Sequence, residues 1–512
     1  MSSSTINSAL PNAEDKPVHA GLVTVSVMLA TIMQALDTTI ANVALPHMQG
    51  SLSATQDQIS WVLTSYIVAA AIFMPMTGFL SARFGRKRLF VASVVGFTAT
   101  SMMCGAAQSL DQLVLFRLFQ GIFGASLVPL SQAVMLDTYP REKHASAMAM
   151  WGVGVMIGPI LGPSLGGWLT EYYNWRWVFY INLPFGMLAC AGLLFFVRET
   201  PLNLARRFDL MGFMLLALAI GSLQMMLDRG ETLNWFQSTE IQIEAAISIA
   251  SMYLFVVHIF TFEQPFLEPG LFRDRNFSIG LFFIFIIGIM LLATMALLPP
   301  YIHNLMGYPV VDVGLLLAPR GVGTMFAMLV VGRLSGKIDP RLLILTGLFF
   351  AILSLWEMTL YTADTSAFVL VRNGVIQGLG LGFLFVPMSA LAFSTLANHY
   401  RNEGTALFSL MRNLGSSIGI SVVITHLSQS IQRNHAAFSE YITTNNVPLI
   451  QSLHHLNLNL QSPRALELVN AQVNQQAAVL AYLQDFRLIM WITVASVPLL
   501  LLLKRGPAAS KA

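Results

Sequence analysis

The sequence predicts an all-α polytopic membrane protein with fourteen transmembrane helices, arranged as two six-helix bundles plus two inserted helices. Three observations predict this fold: an apolar composition, a series of apolar segments of bilayer length, and an internal repeat. Hydrophobic residues make up 55% of the 512 residues, and charged residues only 10%. A soluble domain carries about 25% charged residues, so this chain has too little polar surface to face water on all sides.

The apolar segments are long enough to cross a bilayer, which takes about 20 residues per helix. The sequence shows no alternating apolar and polar strand pattern, so these spans are predicted to be helices. The polar residues before the first segment lack the basic region and cleavage site of a secretory signal, so we keep this segment as a permanent span. The fourteen predicted spans are 21–45, 58–82, 87–107, 112–134, 145–169, 177–197, 209–227, 239–262, 277–302, 311–335, 342–362, 367–395, 403–430 and 486–503.

The positions of lysine and arginine predict the orientation. With both termini in the cytoplasm, about 19 of the 28 basic residues lie inside and about 5 outside, as the positive-inside rule requires. A thirteen-helix topology would move one terminus to the other side and remove this asymmetry. The five external basic residues are Arg176, Arg229, Arg433, Arg464 and Arg487.

Two distant stretches repeat each other. Six residues from Tyr139 to Gly158 recur in order from Tyr400 to Gly419 at a constant offset of 261, and shorter matches elsewhere have offsets from 253 to 258. Spans 1–6 therefore match spans 9–14, and spans 7 and 8 are an inserted pair. Parallel repeats of this kind build two bundles that rock about a central site.

The repeat defines the predicted domains. The second bundle contains a long periplasmic loop, in which Ser462-Pro463 predicts the start of a helix. This loop either docks a periplasmic partner or lies on the membrane surface. The predicted units are a cytoplasmic tail 1–20, the first bundle 21–200, the inserted pair 201–265, the second bundle 266–505 with its loop 431–485, and a cytoplasmic tail 506–512.

Asp37 is the main candidate for chemistry. It lies inside span 1, where a charged side chain costs about 2.5–3.5 kcal/mol, and its counterpart in the second half is Met290. Burial favours a neutral carboxyl group and a nearby arginine favours a charged one, so an acid held between these tendencies can load and release a proton. The alternative is a structural aspartate that is hydrogen-bonded by Thr38, Asn42 or Gln34.

Arg117 in span 4 is the candidate partner of Asp37 in proton coupling. Their depths in the bilayer differ by roughly 5 Å when the rise of a helix is applied to their distances from the span ends. A contact between spans 1 and 4 is therefore compatible with these heights. Alternatively, Arg117 extends towards the headgroups or binds backbone carbonyls.

Three further arginines lie in spans of the second half and have no basic counterpart in the first. Four intramembrane arginines thus accompany one deep acid. A central cavity lined by these groups would favour small lipophilic substrates that are neutral or weakly acidic. Dications would be disfavoured, because they need two buried carboxylates. The candidate cavity residues are Gln34, Asp37, Arg320, Arg372 and Arg412.

A glycine-rich run in span 5 is a candidate gate. Glycines four residues apart form a flat helix face that lets a neighbour approach, and two prolines weaken the local backbone hydrogen bonding and permit a kink. The second half keeps the glycines but has Ile420 in place of the first proline. Ordinary helix packing explains the glycines but not both prolines. The candidate residues are Gly154, Gly158, Pro159, Gly162 and Pro163.

The turn that follows span 2 is a second candidate gate. Its glycines permit a tight turn, and its cations hold it on the cytoplasmic side. A signal that only sets the topology would have a similar sequence. The candidate residues are Gly78, Arg83, Gly85 and Arg86.

These motifs resemble the major facilitator superfamily, and specifically its fourteen-helix drug:proton antiporter branch of the EmrB/QacA type. The resemblance covers essentially the whole chain, and the segment Leu223–Gly230 together with the long last external loop looks more like the EmrB type. The strongest elements are Leu36–Pro46, Gly78–Arg88, Arg117–Gly124, Gly152–Gly167 and Trp175–Pro184.

The resemblance implies a proton-coupled multidrug efflux transporter of the bacterial inner membrane that exports toxic amphiphiles and uses no cofactor besides the proton gradient. It also implies a periplasmic membrane-fusion adaptor and an outer-membrane channel as partners, and no nucleic acid. Two departures stand out: Ala82 replaces an acid that the superfamily usually has after span 2, and the buried acids of dication exporters are missing.

Two other functions define the alternatives. A specific metabolite or fatty-acid transporter of the same superfamily predicts more polar cavity residues than the sequence offers. A membrane enzyme is disfavoured because the sequence has no HExxH or GxSxG motif and no clustered metal ligands, while His258 and His426 look isolated within spans.

Overall fold

A computed structural model describes residues 19–200, 202, 208–443, 445–455, 458–459 and 462–504. Both predicted tails lie outside the described residues, apart from positions 19 and 20. Nearly all of the described chain is helical. Its helices are α1 Ala20–Ser51, α2 Gln56–Phe73, α3 Met76–Phe84, α4 Arg86–Ala106, α5 Leu110–Gly124, α6 Leu127–Thr138, α7 His144–Tyr172, α8 Trp177–Tyr180, α9 Asn182–Phe196, α10 Leu210–Arg229, α11 Thr239–Thr261, α12 Arg275–Pro300, α13 Val310–Leu334, α14 Pro340–Met358, α15 Ala367–Ser394, α16 Arg401–Ser439, α17 Val447–His455 and α18 Pro463–Ser496.

The number of crossings agrees with the sequence. Among the described residues, thirteen helices are long and apolar enough to span a bilayer, and α2 and α3 make a fourteenth span that is bent by 59°. Pro75 lies at this bend and has no backbone N–H to continue the helix. The predicted all-α fold with fourteen spans is confirmed.

The two halves repeat the same helix contact. In the first half α7 lies on α1, where a Cβ atom on Gly158 would be 2.7 Å from the backbone carbon of Ala35. In the second half α16 lies on α12, where a Cβ atom on Gly419 would be 2.8 Å from the Cα of Ile289. Equivalent glycines therefore allow the same close approach in both halves.

The halves meet at one end of the bundle, which carries Arg83–Arg88 and is called the basic end here; the opposite end is the far end. Gly78 in α3 lies against α16, since a Cβ atom there would be 2.6 Å from the Cγ of Glu403. At the equivalent place in the second half, the Ser146 hydroxyl donates to the carbonyl of Gly332 over 2.7 Å. The basic end is closed by both contacts.

The inserted helices α10 and α11 pack against each other beside α2. The carboxylate of Asp209 caps α10 by accepting from the Gly212 N–H at 2.9 Å, and it also lies 2.9 Å from His258 Nε2. Farther along α10, Asp228 accepts a hydrogen bond from Thr64 of α2. The prediction that His258 is isolated is wrong, because its acidic partner lies 49 positions away in the sequence.

The segment 431–485 is mainly helical in its described part, and the helix predicted to begin at Ser462-Pro463 is confirmed. α16 continues to Ser439, and α18 begins at Pro463, where the Ser462 hydroxyl accepts from the N–H of Ala465. Asn434 donates to the carbonyl of Ala477 over 3.2 Å, which ties the two helices together. Hydropathy marks where a helix leaves the bilayer and not where it ends.

Candidate functional site

Asp37 lies in α1 and is only 1% exposed. Its carboxylate accepts three hydrogen bonds, from Arg117 Nη1 at 2.6 Å, Gln120 Nε2 at 2.8 Å and Asn182 Nδ2 at 2.8 Å. These four residues are called the Asp37 cluster. A buried carboxylate is tolerated when a cation and further donors satisfy it, and the cluster meets both conditions.

Several helices of the first half build the cluster. α5 supplies Arg117 and Gln120, which lie one turn apart on the same helix face. Asn182 begins α9, directly after the short helix α8. From α2, the carbonyl of Val62 accepts from Arg117 Nε at 3.1 Å, and the ring of Tyr66 lies 4.4 Å from the guanidinium carbon. The cluster therefore ties α1, α2, α5 and α9 together.

Sequence reasoning paired Asp37 with Arg117 but missed Gln120 and Asn182. Both residues lie in motifs that carry the family resemblance, and Gln120 also has a counterpart in the repeat, Gln377. A polar amide at span depth was the available signal for each of them.

The partners expected of a structural aspartate lie elsewhere. Thr38 donates to the backbone carbonyl of Ala35 over 3.0 Å, Gln34 donates to the Tyr66 hydroxyl over 3.2 Å, and Asn42 is exposed. Gln34 therefore borders the cluster through Tyr66 without contacting the carboxylate.

Two polar atoms of the Asp37 cluster are unused. Among the described residues, Arg117 Nη2 and Asn182 Oδ1 are buried and have no hydrogen-bond partner. Most buried polar atoms in proteins are paired, and exceptions gather at functional sites. The cluster thus combines a satisfied carboxylate with a spare donor and a spare acceptor.

Two of the second-half arginines flank the part of α12 that carries Met290. Arg320 is 9% exposed and donates to the carbonyl of Leu291 over 3.3 Å. Arg412 is half-buried, and its backbone carbonyl lies beside Gly288. Within the described part of the chain, neither guanidinium has a carboxylate partner. Their charges are thus not neutralised by the protein as that of Arg117 is.

Arg372 does not belong to this group, which corrects the prediction. Its side chain is 47% exposed and pairs with Glu357 over 2.7 Å. The same carboxylate accepts from Asn373 Nδ2 at 2.9 Å. Arg372 lies only five residues after the start of α15 at Ala367, so it is near a helix end and not in the middle of the bilayer.

The glycine face of α7 packs on the helix that carries Asp37. Gly154 lies against Met28, Gly158 against Ala35 and Gly162 against Thr39, all in α1. The opposite side of α7 faces the second half. α7 remains one helix through Pro159. The side chain of Pro163 lies outside the described residues.

α13 is the second-half helix on that opposite side of α7. Ile160 of α7 fills the space beside Gly321 of α13, and Met328 of α13 fills the space beside Gly152. α7 thus connects α1 with the interface between the halves, which is where a gate must act.

The second candidate gate is a compact turn at the basic end. Gly85 has a φ of 91°, which disfavours any residue with a side chain. The turn closes around the carboxylate of Glu199, which accepts from the N–H groups of Lys87 at 2.9 Å and Arg88 at 3.1 Å. Arg83 is exposed in the same turn.

Arg86 joins the two halves through Asp137, which lies in the last turn of α6. One carboxylate oxygen of Asp137 pairs with Arg86 and the other with Arg401 of α16. Both arginines are buried, at 6% exposure. Although Ala82 removes the usual acid from this turn, Asp137 supplies a carboxylate from another helix. We call these three residues the Asp137 bridge.

Two helical bundles that are related as parallel repeats are an architecture of secondary transporters. The sequence model of the Major Facilitator Superfamily matches residues 27–420. The chain therefore belongs to this superfamily, and the resemblance inferred from its motifs is confirmed.

Relatives with this architecture extend over nearly the whole chain. The fatty acid resistance protein FarB of Neisseria gonorrhoeae is 34% identical, covering 94% of this chain and 96% of its own length. The multidrug export protein EmrB of Haemophilus influenzae is 34% identical over 86% and 87% of the two chains, respectively. EmrB of Escherichia coli K12 is 33% identical over 91% and 93%.

Solved structures show the same fold at low sequence identity. The human organic anion transporter MFSD10 has a TM-score of 0.58 and 14% identity, covering 93% of this chain and 100% of its own. A bacterial homologue of the lysosomal transporter Spinster has a TM-score of 0.54 and 17% identity, covering 98% and 100%. At these identities the comparison shows the fold alone.

Proposed function

We propose that the protein exports toxic lipophilic compounds from a bacterial cell in exchange for protons. It lies in the inner membrane with both termini and the basic end in the cytoplasm. The observation that carries this proposal is the Asp37 cluster, because the equivalent position of the same fold holds Met290 and needs no acid. The name of the multidrug export protein EmrB supports export as the direction of transport, and that of the fatty acid resistance protein FarB supports a toxic amphiphile as the substrate.

Proton exchange begins at the ion pair. A proton that binds Asp37 removes the negative charge that balances Arg117, and a buried guanidinium without a counter-charge is strongly unfavourable. The first half then favours a conformation in which Arg117 finds water or another acceptor. α1 carries Asp37 and lies on the glycine face of α7, and α7 contacts α13 of the second half. These contacts give the rearrangement a route to the interface between the halves.

The substrate class follows from the charges that remain. Arg320 and Arg412 keep their positive charges without a carboxylate partner in the described chain, so the second half attracts weakly acidic amphiphiles, admits neutral ones and repels dications. A specific fatty-acid transporter is the second candidate. The same two arginines and the name of the gonococcal relative favour it.

The partners are a periplasmic membrane-fusion adaptor and an outer-membrane channel. The α16–α18 hairpin supports this assignment, since it continues beyond the length needed to cross the bilayer at the far end. Replacing residues 440–462 with a short glycine-serine linker keeps both helices and removes the tip. Loss of co-purification with the adaptor is expected; unchanged association would contradict the role of the tip.

Transport into inverted membrane vesicles tests the main proposal. We expect the wild type to concentrate a lipophilic weak acid only when a proton gradient is imposed. Asp37→Asn keeps the size of the side chain and should abolish the gradient-driven part. Asp228→Asn is the matched control, because Asp228 is an acid of α10 that accepts a hydrogen bond from Thr64 and has no arginine ion pair among the described residues. Full uphill transport by Asp37→Asn would refute proton coupling at this residue.

Competition in the same vesicles separates the two substrate classes. A broad exporter is inhibited by several unrelated lipophilic compounds at similar concentrations, whereas a specific transporter is inhibited by fatty acids alone.

A further inference from the structure

The far end of the molecule carries few basic residues, and these residues differ in the contacts that they make. Arg176 donates to the carbonyl of Gly105 over 3.0 Å and lies 4.5 Å from the ring centre of Trp175. Arg229 pairs with Glu240. Arg433 and Arg487 instead line one groove between α16 and α18.

This groove has a volume of about 380 Å³ and two chemically different walls. Hydrogen-bonding side chains surround the two arginines: Ser430 and Asn434 on α16, and Gln484 on α18. Farther along α18 the wall is apolar and ends at Trp491, which is 59% exposed. One part of the groove thus suits a charged polar group and the other suits a hydrocarbon chain.

The groove keeps a net positive charge. Asp485 is 0% exposed and pairs through Oδ1 with Nδ1 of His426, which lines the groove, while its Oδ2 is buried without a hydrogen-bond partner among the described residues, so one carboxylate stands against two guanidinium groups. Arg433 donates to the neutral amide of Gln429 over 3.0 Å. Within the described residues, Arg487 has no carboxylate partner. Two guanidinium groups therefore remain for an external anion.

The depth of the groove matches the headgroup layer. α16 starts at Arg401 at the basic end, and Ser430 is 29 residues further along, which is about 44 Å at the rise of an α-helix. A bilayer is about 40–45 Å thick with its headgroups, of which about 30 Å is hydrocarbon. On the adjacent helix the exposed Trp491 is four residues from Arg487, which puts it about 6 Å deeper, on the apolar side of this boundary.

We propose that the groove binds the headgroup of an anionic phospholipid, with the phosphate between Arg433 and Arg487 and an acyl chain along Leu488 and Trp491. Guanidinium groups match phosphate oxygens in charge and in bidentate geometry. The neighbouring amides and hydroxyl suit a polar headgroup such as glycerol. A free phosphate ion shares the charged contacts but makes no use of the apolar wall. The inference is independent of the proposed transport function.

Native mass spectrometry of the full-length protein tests this site. The delipidated protein is mixed with equal amounts of phosphatidylglycerol and phosphatidylethanolamine, and the lipid retained is identified. We expect the wild type to hold one phosphatidylglycerol in preference to phosphatidylethanolamine. An arginine at a membrane surface changes anionic-lipid affinity about fivefold, so R433Q/R487Q should weaken binding about thirtyfold.

Arg464→Gln is the matched control, because Arg464 is an exposed arginine of α18 that does not line the groove. It should retain phosphatidylglycerol as the wild type does. Equal retention by R433Q/R487Q and the wild type, or no preference between the two lipids, overturns the proposal. If the double variant does not fold, the wild-type lipid preference and the two single variants decide the question.

Thermal unfolding with inorganic phosphate distinguishes the two sources of the anion. Short-chain phosphatidylglycerol should raise the Tm of the wild type and not that of the double variant. Inorganic phosphate at the same concentration should leave both unchanged. If phosphate alone raises the wild-type Tm by as much as the lipid, the groove is a site for a free anion and the lipid assignment is wrong.

Discussion

The two halves of the molecule share a scaffold but differ in the polar groups that they bury. In the first half Gln120 donates to Asp37 and accepts from Arg117. Its counterpart Gln377 is 0% exposed, and neither side-chain heteroatom has a partner among the described residues. The position equivalent to Asp37 is Met290, so the second half keeps the amide without the acid.

The cation has also changed position between the halves. Gln120 and Gln377 are related by an offset of 257, which makes Gly374 the counterpart of Arg117. A Cβ atom placed on Gly374 would lie 3.7 Å from the Cβ atom of Arg320 in α13. The offset of 254 that relates Gly78 to Gly332 makes Arg320 the counterpart of Tyr66, which lies over Arg117 in the first half.

Under the proposed function, this exchange lets one duplicated fold serve two tasks. Each half places an arginine near the equivalent part of its bundle, but among the described residues only that of the first half is neutralised by a carboxylate. Under the proposed function, the first half therefore handles the proton, and the second leaves its charge for the substrate.

The largest difference between the halves is expected when one member of the buried ion pair is removed. Arg117→Met leaves the Asp37 carboxylate buried without a cation, and we expect a loss of about 3–5 kcal/mol in unfolding free energy. Arg320→Met should cost much less, because no carboxylate depends on Arg320. Thermal unfolding in detergent measures both changes.

The double variant Asp37→Leu/Arg117→Met completes the test. It removes both charges and should regain most of the stability, while gradient-driven transport stays absent. If it is as unstable as Arg117→Met alone, packing and not charge explains the loss.

Replacing the two equivalent glutamines by leucine should affect stability differently. Gln120→Leu leaves Asp37 short of a donor, and we expect a cost of about 1–3 kcal/mol together with weaker proton coupling. Gln377→Leu removes an amide that has no partner in the described structure, so stability should be unchanged or higher. Unfolding midpoints of the two variants decide this, and equal losses would show that Gln377 is as engaged as Gln120.

The equivalent glycines separate packing from function. Gly158→Ala and Gly419→Ala both force a Cβ atom within 3 Å of the facing helix, and overpacking of this kind costs about 1–3 kcal/mol. We expect similar losses of stability but a larger loss of transport for Gly158→Ala, because α1 carries Asp37. Transport rates normalised to folded protein provide the measurement. Equal transport losses would mean that the Asp37 cluster does not act through α7.

The fold was predictable from the sequence because its signals are long. Each span needs many apolar residues in succession, and the repeat extends over most of the chain. The meeting of Asp37 and Arg117 was accessible for a related reason, since the fixed rise of a helix converts sequence position into depth. Arg372 was misplaced for a different reason: the predicted span begins where α15 does, but Arg372 is only five residues from that start and pairs there with Glu357.

The remainder of the site depends on helix rotation and on contacts between distant segments. Asn182 reaches Asp37 across 145 positions, and the amide direction is set by how α8 leads into α9. Asp485 similarly meets His426 across 59 positions, so the prediction that His426 is isolated was wrong. The pattern of a single sequence shows which residues share a face of a helix, but it does not show which other segment packs against that face.

The Asp137 bridge gives the smallest expected effect, because its acid is partly exposed and water weakens such ion pairs. The side chain of Asp137 is 34% exposed, and we expect Asp137→Asn to change the closure of the basic end by about 1 kcal/mol, or about fivefold in population. The readout is thiol labelling of Ser409→Cys, a position that is 1% exposed between the halves, after Cys104 and Cys190 are replaced by alanine. Asp137→Asn should accelerate labelling about fivefold.

Glu199→Gln is the matched control for this last effect. Glu199 accepts from the turn at the same end of the molecule, but its contacts with Lys87 and Arg88 stay within the first half. Labelling at position 409 should therefore keep the wild-type rate. If both variants accelerate labelling equally, the turn as a whole holds the basic end closed, and the link from Arg86 through Asp137 to Arg401 has no separate role. If only Asp137→Asn accelerates labelling, the carboxylate of Asp137 takes over the role of the acid that is missing at Ala82.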